Sequence, residues 1–199
     1  MSSIDGSKVF LAGASGVIGQ KLIPLLVRAG YVVGGMTRTP GNAARLLSLG
    51  AQPIVSDVFD RGALFEAVTS FAPDIIVNEL TDLPDDSAHI ASHTSLNARI
   101  RTEGNQNLIE AARLSGSPKI LAQSVAWTLP EGPDASAVVE LEQSILAVGG
   151  VILRYGQIYG PGTYHPAGLP DEPRVHIDRA AERTVELLEA PTGVLLVVD

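Results

Sequence analysis

From Lys8 onward, short apolar runs rich in β-branched residues alternate with longer segments whose apolar positions recur at helical spacing. The runs KVFLA (8–12), YVVGGMT (31–37), AQPIVS (51–56), DIIVNEL (74–80), KILAQS (119–124), GVILR (150–154) and GVLLVV (193–198) predict strands. Between them, helices are predicted over 17–30, 40–50, 61–71, 95–116, 134–148 and 178–190. Gly30, Gly50 and Gly116 close three of these as natural residues past a helix end. Pro24 falls inside the first helix and is expected to bend it.

This alternation predicts an α/β fold of Rossmann type: a doubly wound, mainly parallel sheet of about seven strands with helices on both faces. The 199 residues suit one domain, 1–199. The Gly- and Pro-rich stretch 156–175 has no periodicity and is expected to be an irregular functional loop. A second loop, 81–89, holds Asp85 and Asp86, which are expected only to start a helix.

Charge and composition narrow the function. A net charge of −8 without a basic run argues against nucleic acid or an anionic membrane as partner. The absence of cysteine removes disulfides, thiolate nucleophiles and cysteine-based metal sites. No apolar run approaches the ~20 residues needed to cross a bilayer, and no basic segment precedes the first apolar run, so the cytoplasm is the expected location.

The candidate chemistry begins at GASGVIG, which places Gly13, Gly16 and Gly19 between a predicted strand and a predicted helix. There glycine permits the turn and a close backbone approach to a pyrophosphate, while the helix N-terminus offers N–H groups to the anion. Ser15, Val17 and Ile18 complete this loop. At the end of the second strand, where an NAD site would place an acid on the ribose 2′-hydroxyl, the chain has Thr37 and Arg38. A guanidinium with no carboxylate there favours NADP, with NAD the other candidate. Asp57 is placed to accept from an adenine amino group or to act as a strand-end cap, and Val58 and Leu80 complete the set expected beside the cofactor.

Six segments together resemble the extended and atypical short-chain dehydrogenase/reductases of the NAD-dependent epimerase/dehydratase type. They are GASGVIG, VSDV (55–58), NARIRTEGNQNLIEAARLSG, AQSVA (122–126), VILRYGQIYGPG (151–162) and VHID (175–178). The resemblance implies a bound NAD(P), a substrate held by the C-terminal loops, and a homodimer through helices 95–116 and 134–148. It also implies a Tyr-x-x-x-Lys pair, in which tyrosine moves a proton and lysine lowers its pKa. That pair is missing. Asp134 and Val138 fall in its places, and no lysine follows Lys119.

Any proton transfer therefore falls to Ser124, Tyr155 and Tyr159, the first two also lying beside the cofactor; packing is the other reading of both tyrosines. Tyr159, Tyr164 and His165 are the candidates for substrate contact. Only 12 residues, Thr163 to Arg174, separate YGPG from VHID, so the region covering a substrate is small. His89 and His93, four apart, lack a third ligand, and no metal is expected. Asn97 is either a residue near the cofactor or a solvated helix position. The apolar side of helix 134–148 reads as packing surface. Three functions follow: an NADP-dependent oxidoreductase or epimerase-like enzyme acting on a small carbonyl or sugar-nucleotide substrate; a non-catalytic NADP(H) sensor; or a cofactor-stabilised structural subunit.

Overall fold

The computed structural model describes residues 6–84, 86–116 and 119–199, so the expectation for Asp85 lies outside the described residues. In chain order the elements are β1 (Lys8–Ala12), α1 (Val17–Arg28), β2 (Val32–Thr37), α2 (Ala43–Ser48), β3 (Gln52–Val55), α3 (Arg61–Phe71) and β4 (Ile75–Asn78). Then follow α4 (Ile90–Arg99), α5 (Asn105–Leu114), β5 (Lys119–Val125), α6 (Pro133–Ala147) and β6 (Val151–Tyr155). The chain closes with β7 (Gln157–Tyr159), β8 (Arg174–His176), α7 (Ile177–Glu186) and β9 (Gly193–Val197).

Seven strands form one sheet in the order β3-β2-β1-β4-β5-β6-β9, and every neighbouring pair is parallel. The order reverses between β1 and β4, which opens a crevice at their carboxyl ends, the place where doubly wound sheets bind ligands. Strand alternation sends two rows of side chains to opposite faces. Val9, Leu11, Val77, Leu121, Val151 and Leu153 pack beneath α1 and α7 with Leu22, Ile23, Leu26 and Ile177. Phe10, Ala12, Ile76, Ile120, Ala122 and Ile152 pack against α3, α5 and α6 through Leu64, Val68, Leu108, Leu141 and Ile145.

Helix α1 runs through Pro24, as the apolar spacing on both sides of it predicts. Two local features depart from the sequence expectation. The long helix begins at Ile90 and carries a π-helical turn, Ile100–Gly104, between α4 and α5. Gly104 lies there under Ile100 and Val58, where a Cβ would come within 3.2 Å of either side chain. The stretch expected to be irregular contains a parallel ribbon of β7 and β8. Strands of three residues are too short to show a period, and their approach depends on Gly156, where a Cβ would lie 2.6 Å from the Arg174 backbone. No helix among the described residues is long and apolar enough to cross a membrane.

At Gly19 an added Cβ would sit 2.4 Å from the Gly13 carbonyl oxygen and 2.8 Å from the Ala14 backbone, neither of which can rotate away. Gly19→Ala is expected to cost roughly 1–3 kcal/mol by overpacking, lowering Tm by several degrees in a thermal melt. It should also weaken dinucleotide binding in the same preparation. Unchanged melting and binding would contradict this packing.

Candidate dinucleotide site and substrate crevice

The nucleotide loop lies at the carboxyl end of β1. Gly13 takes φ +86°, and a Cβ on it would meet the Glu79 carbonyl oxygen at 2.6 Å. Gly16 N–H donates to the Gly13 carbonyl and closes the turn. Gly16 also stands at the N-cap of α1 without a side-chain cap, and the first turn carries no acid. A glycine cradle against an uncapped helix start fits the pyrophosphate of a dinucleotide. Ser15 and the exposed Val17 border the loop, and Ile18 and Gly19 are buried behind it.

On the adenosine side, Thr37 is buried and its Oγ1 accepts from Thr39 N–H and Asn42 Nδ2, with Ser15 Oγ 3.2 Å away. Its role here is to shape the loop. Arg38 projects from the end of β2, and its Nη2 donates to Asp82 Oδ1 at 3.0 Å. Asp57 is exposed, and its Oδ1 accepts from Phe59 N–H at 2.9 Å in a tight turn. Val58 is buried among α3 and α5 side chains while its carbonyl accepts from Asn107. The Leu80 carbonyl accepts from Gln123 Nε2.

On the nicotinamide side, the polar groups are engaged inside the protein. Ser124 is 5% exposed and donates its only proton to Glu142 Oε1 at 2.6 Å. Arg154 grips the same carboxylate with two hydrogen bonds of 2.8 and 2.6 Å. Burial opposes ionisation of Glu142, but the bonds from Arg154 and Ser124 outweigh it and hold this carboxyl below its ordinary range. Asp134, in the place of the expected tyrosine, accepts from Arg101 Nη1 at 3.1 Å. It also lies 3.5 Å from Asn97 Nδ2, and Asn97 is buried. Val138 is half-buried beside it.

Tyr155 is 2% exposed, and its hydroxyl points into the core below the crevice. Its Oη lies 2.8 Å from Glu79 Oε1 and 2.6 Å from Thr184 Oγ1. Tyr155 donates to Glu79 Oε1, and the Thr184 hydroxyl also lies within hydrogen-bond reach of the Ala180 carbonyl. Burial pushes the Glu79 carboxyl up to about 8 against the opposing Tyr155 hydrogen bond, and Oε2 has no partner among the described residues. Burial and the neighbouring Glu79 likewise push the Tyr155 phenol well above its ordinary value, so it is a poor proton donor.

The loop after β6 holds the remaining candidates. Tyr159 donates to Asp199 Oδ2 at 2.9 Å, a bond that raises its pKa, and its ring meets His176 edge-on at 5.1 Å. Tyr164 reaches across to the Pro84 carbonyl, joining this loop to the one after β4. The His165 backbone closes its own turn with Gly160 and Thr163, leaving a half-buried side chain. His93 bonds to Ser92 and to the His89 carbonyl, and no group of three metal-ligating side chains occurs among the described residues.

Several of these residues escaped the sequence reading: Glu79, Asp82, Arg101, Glu142, Arg154 and Thr184. Glu79 did leave a signal, a carboxylate in the apolar run DIIVNEL, but its partner Tyr155 is 76 positions away.

A glycine cradle at the switch point of an all-parallel doubly wound sheet defines a dinucleotide-binding protein of the Rossmann class. The chain belongs to the NAD dependent epimerase/dehydratase family, whose family model matches residues 9–142. A Streptomyces protein named 3-diazoavenalumate denitrifying reductase is 36% identical over 182 residues, covering 78% of this chain and 58% of that protein. The chain thus spans less than two thirds of that relative's length. Among solved structures, the Thermus thermophilus UDP-glucose 4-epimerase in complex with NAD aligns at TM-score 0.79 and 19% identity, over 96% of this chain and 77% of the other. The Thermotoga maritima UDP-glucose 4-epimerase with UDP-glucose aligns at TM-score 0.79 and 16% identity, over 96% and 76%. These two likenesses are of fold.

The buried Glu79 makes stability depend on pH. The unfolded chain gives up this proton near the ordinary 4.5, whereas the folded chain keeps it until about 8. Between those values the folded state binds more protons, so the Glu79 contribution falls as pH rises and levels off above about 8. Glu79→Gln lacks this loss. Its denaturant-unfolding free energy is expected to gain on the parent by on the order of 2–4 kcal/mol across that window. A gap between the two proteins that does not change with pH would show that Glu79 ionises normally.

Proposed function

We propose that this chain binds NADP(H) in the crevice and acts as a reductase that delivers hydride to a small electrophile. The observation that supports this most is the commitment of the proton donors. Ser124 is bonded to Glu142, Tyr155 to Glu79 and Thr184, and the places of the tyrosine–lysine pair hold Asp134, paired with Arg101, and Val138. When bound, a reduced nicotinamide supplies hydride. A carbonyl also needs a proton, which with Ser124 and Tyr155 committed would come from water or from the loop that carries His165. A cationic electrophile needs the hydride alone.

An aryl diazonium group is of that second kind. Hydride adds to the ring carbon, the C–N bond breaks with its electron pair going to nitrogen, and dinitrogen leaves. The products are neutral and no proton is consumed. The name of the Streptomyces relative, a denitrifying reductase of a diazo compound, supports this substrate class over a sugar nucleotide. In this reading Arg38 takes the 2′-phosphate, the Gly13–Gly19 loop takes the pyrophosphate, and Tyr164 and His165 border the substrate. Arg101 and Asp134 keep a fixed, neutral pair at its edge. The protein works as a homodimer through helices 95–116 and 134–148, a reading supported by Leu96 and Val139, which are 47% and 52% exposed.

The commitment of Ser124 and Tyr155 inside the protein also favours one other reading, a non-catalytic NADP(H) sensor. Purified protein, NADPH and a simple aryl diazonium salt separate the two. The reductase reading expects NADPH oxidation matched to dinitrogen release, faster than in protein-free solution. Ser124→Ala should keep turnover within about twofold, because its hydroxyl bonds to Glu142 rather than to substrate. Arg38→Ala should weaken NADPH binding by roughly 10- to 100-fold, as loss of a charge-assisted phosphate contact does, with a smaller effect on NADH. Unequal binding of NADP and NADPH with no turnover of diazonium or aldehyde would favour the sensor.

A further inference from the structure

Asp82 follows β4, Arg38 follows β2, and these strands flank β1, so the 3.0 Å ion pair between Arg38 and Asp82 joins the segments on either side of the strand that leads into the nucleotide loop. The two partners are not held equally. The Arg38 side chain is 60% exposed, whereas that of Asp82 is 15% exposed. Asp82 is also anchored through its backbone, whose N–H donates to the buried Asn97 Oδ1 at 3.3 Å. Further along the same loop, the Tyr164 hydroxyl donates to the Pro84 carbonyl. The acid is fixed and the arginine is the member free to turn.

A guanidinium carries five N–H donors, and Asp82 engages one of them, on Nη2, placing a carboxylate charge where a second oxyanion on Arg38 must meet it. We propose that Asp82 is a specificity-determining residue for the dinucleotide, competing with a ribose 2′-phosphate for Arg38. This rests on the reading of Arg38 as the phosphate contact. A 2′-phosphorylated dinucleotide exchanges one anion for another at Arg38. A dinucleotide with a bare 2′-hydroxyl leaves the ion pair closed. The phosphate prevails through its greater charge and its three acceptor oxygens, but its advantage is cut by the carboxylate it displaces. Asp82 thereby lowers the discrimination between NADPH and NADH that Arg38 alone would give.

The test measures dissociation constants for NADPH, NADH and adenosine 2′-phosphate in the parent, Asp82→Asn, Arg38→Ala and the double variant. Asparagine preserves the size of the side chain and the backbone bond to Asn97, and a thermal melt confirms folding. Asp82→Asn is expected to tighten NADPH and adenosine 2′-phosphate by roughly 3- to 30-fold, and NADH by less than about twofold. In the Arg38→Ala background the gain for NADPH should shrink markedly, because most of it acts through the freed guanidinium. Equal changes for NADPH and NADH, or weaker NADH binding, would overturn the Asp82 proposal while leaving Arg38 in place. An NADPH-to-NADH ratio untouched by Arg38→Ala would remove the Arg38 reading itself, and the Asp82 proposal with it.

Discussion

The Gly13 backbone lies so close to the end of β4 that a Cβ would meet the Glu79 carbonyl oxygen at 2.6 Å, and the rest of the site depends on that approach. It joins the first strand to the strand at which the sheet changes direction, with Glu79 N–H donating to Ala12 to continue the ladder. Because the loop is flush against β4, α1 can start beside it with its N–H groups turned toward the crevice. Gly19 then lets the first turn of α1 settle onto Gly13 and Ala14. The anion site is thus a consequence of two backbone contacts that side chains would prevent.

Three acids stand near the sheet ends around this loop, and each is handled differently. Glu142 stays ionised because Arg154 and Ser124 surround it. Asp134 sits opposite Arg101, whose guanidinium burial pulls below its usual value against the attraction of the carboxylate. Glu79 has no cationic partner among the described residues and keeps its proton. Buried ion pairs contribute little net stability, because desolvation offsets their attraction, but removing one member leaves a costly orphan charge. These networks therefore fix side chains in place. A hydroxyl fixed by its own protein's carboxylate is unavailable to a substrate, which links the packing of the sheet ends to the hydride-only chemistry proposed for the crevice.

The elements were largely legible because each strand of the seven-stranded sheet carries a short apolar run and several helices stop at a glycine. The nucleotide loop was legible because its signal is local, three glycines within seven residues. The π-helical turn at Ile100–Gly104 was hidden inside a continuous helical pattern, and β7 and β8 were too short to show one. Side-chain commitments were the least legible. Ser124 and Tyr155 have residue types suited to proton transfer, and only the folded chain brings Glu142 to one and Glu79 to the other. The absence of the tyrosine–lysine pair could be read from the sequence. That Arg101 stands against the substituted Asp134 could not, since 33 residues separate them.

The central claim is that the crevice transfers hydride without a proton from the protein. Its most direct test follows the label in turnover of an aryl diazonium salt. NADPH deuterated at the reactive C4 position is used in ordinary water, and unlabelled NADPH in heavy water. The account predicts deuterium on the product ring carbon in the first experiment and none in the second. Deuterium entering that carbon from heavy water, with none from the cofactor, would contradict it.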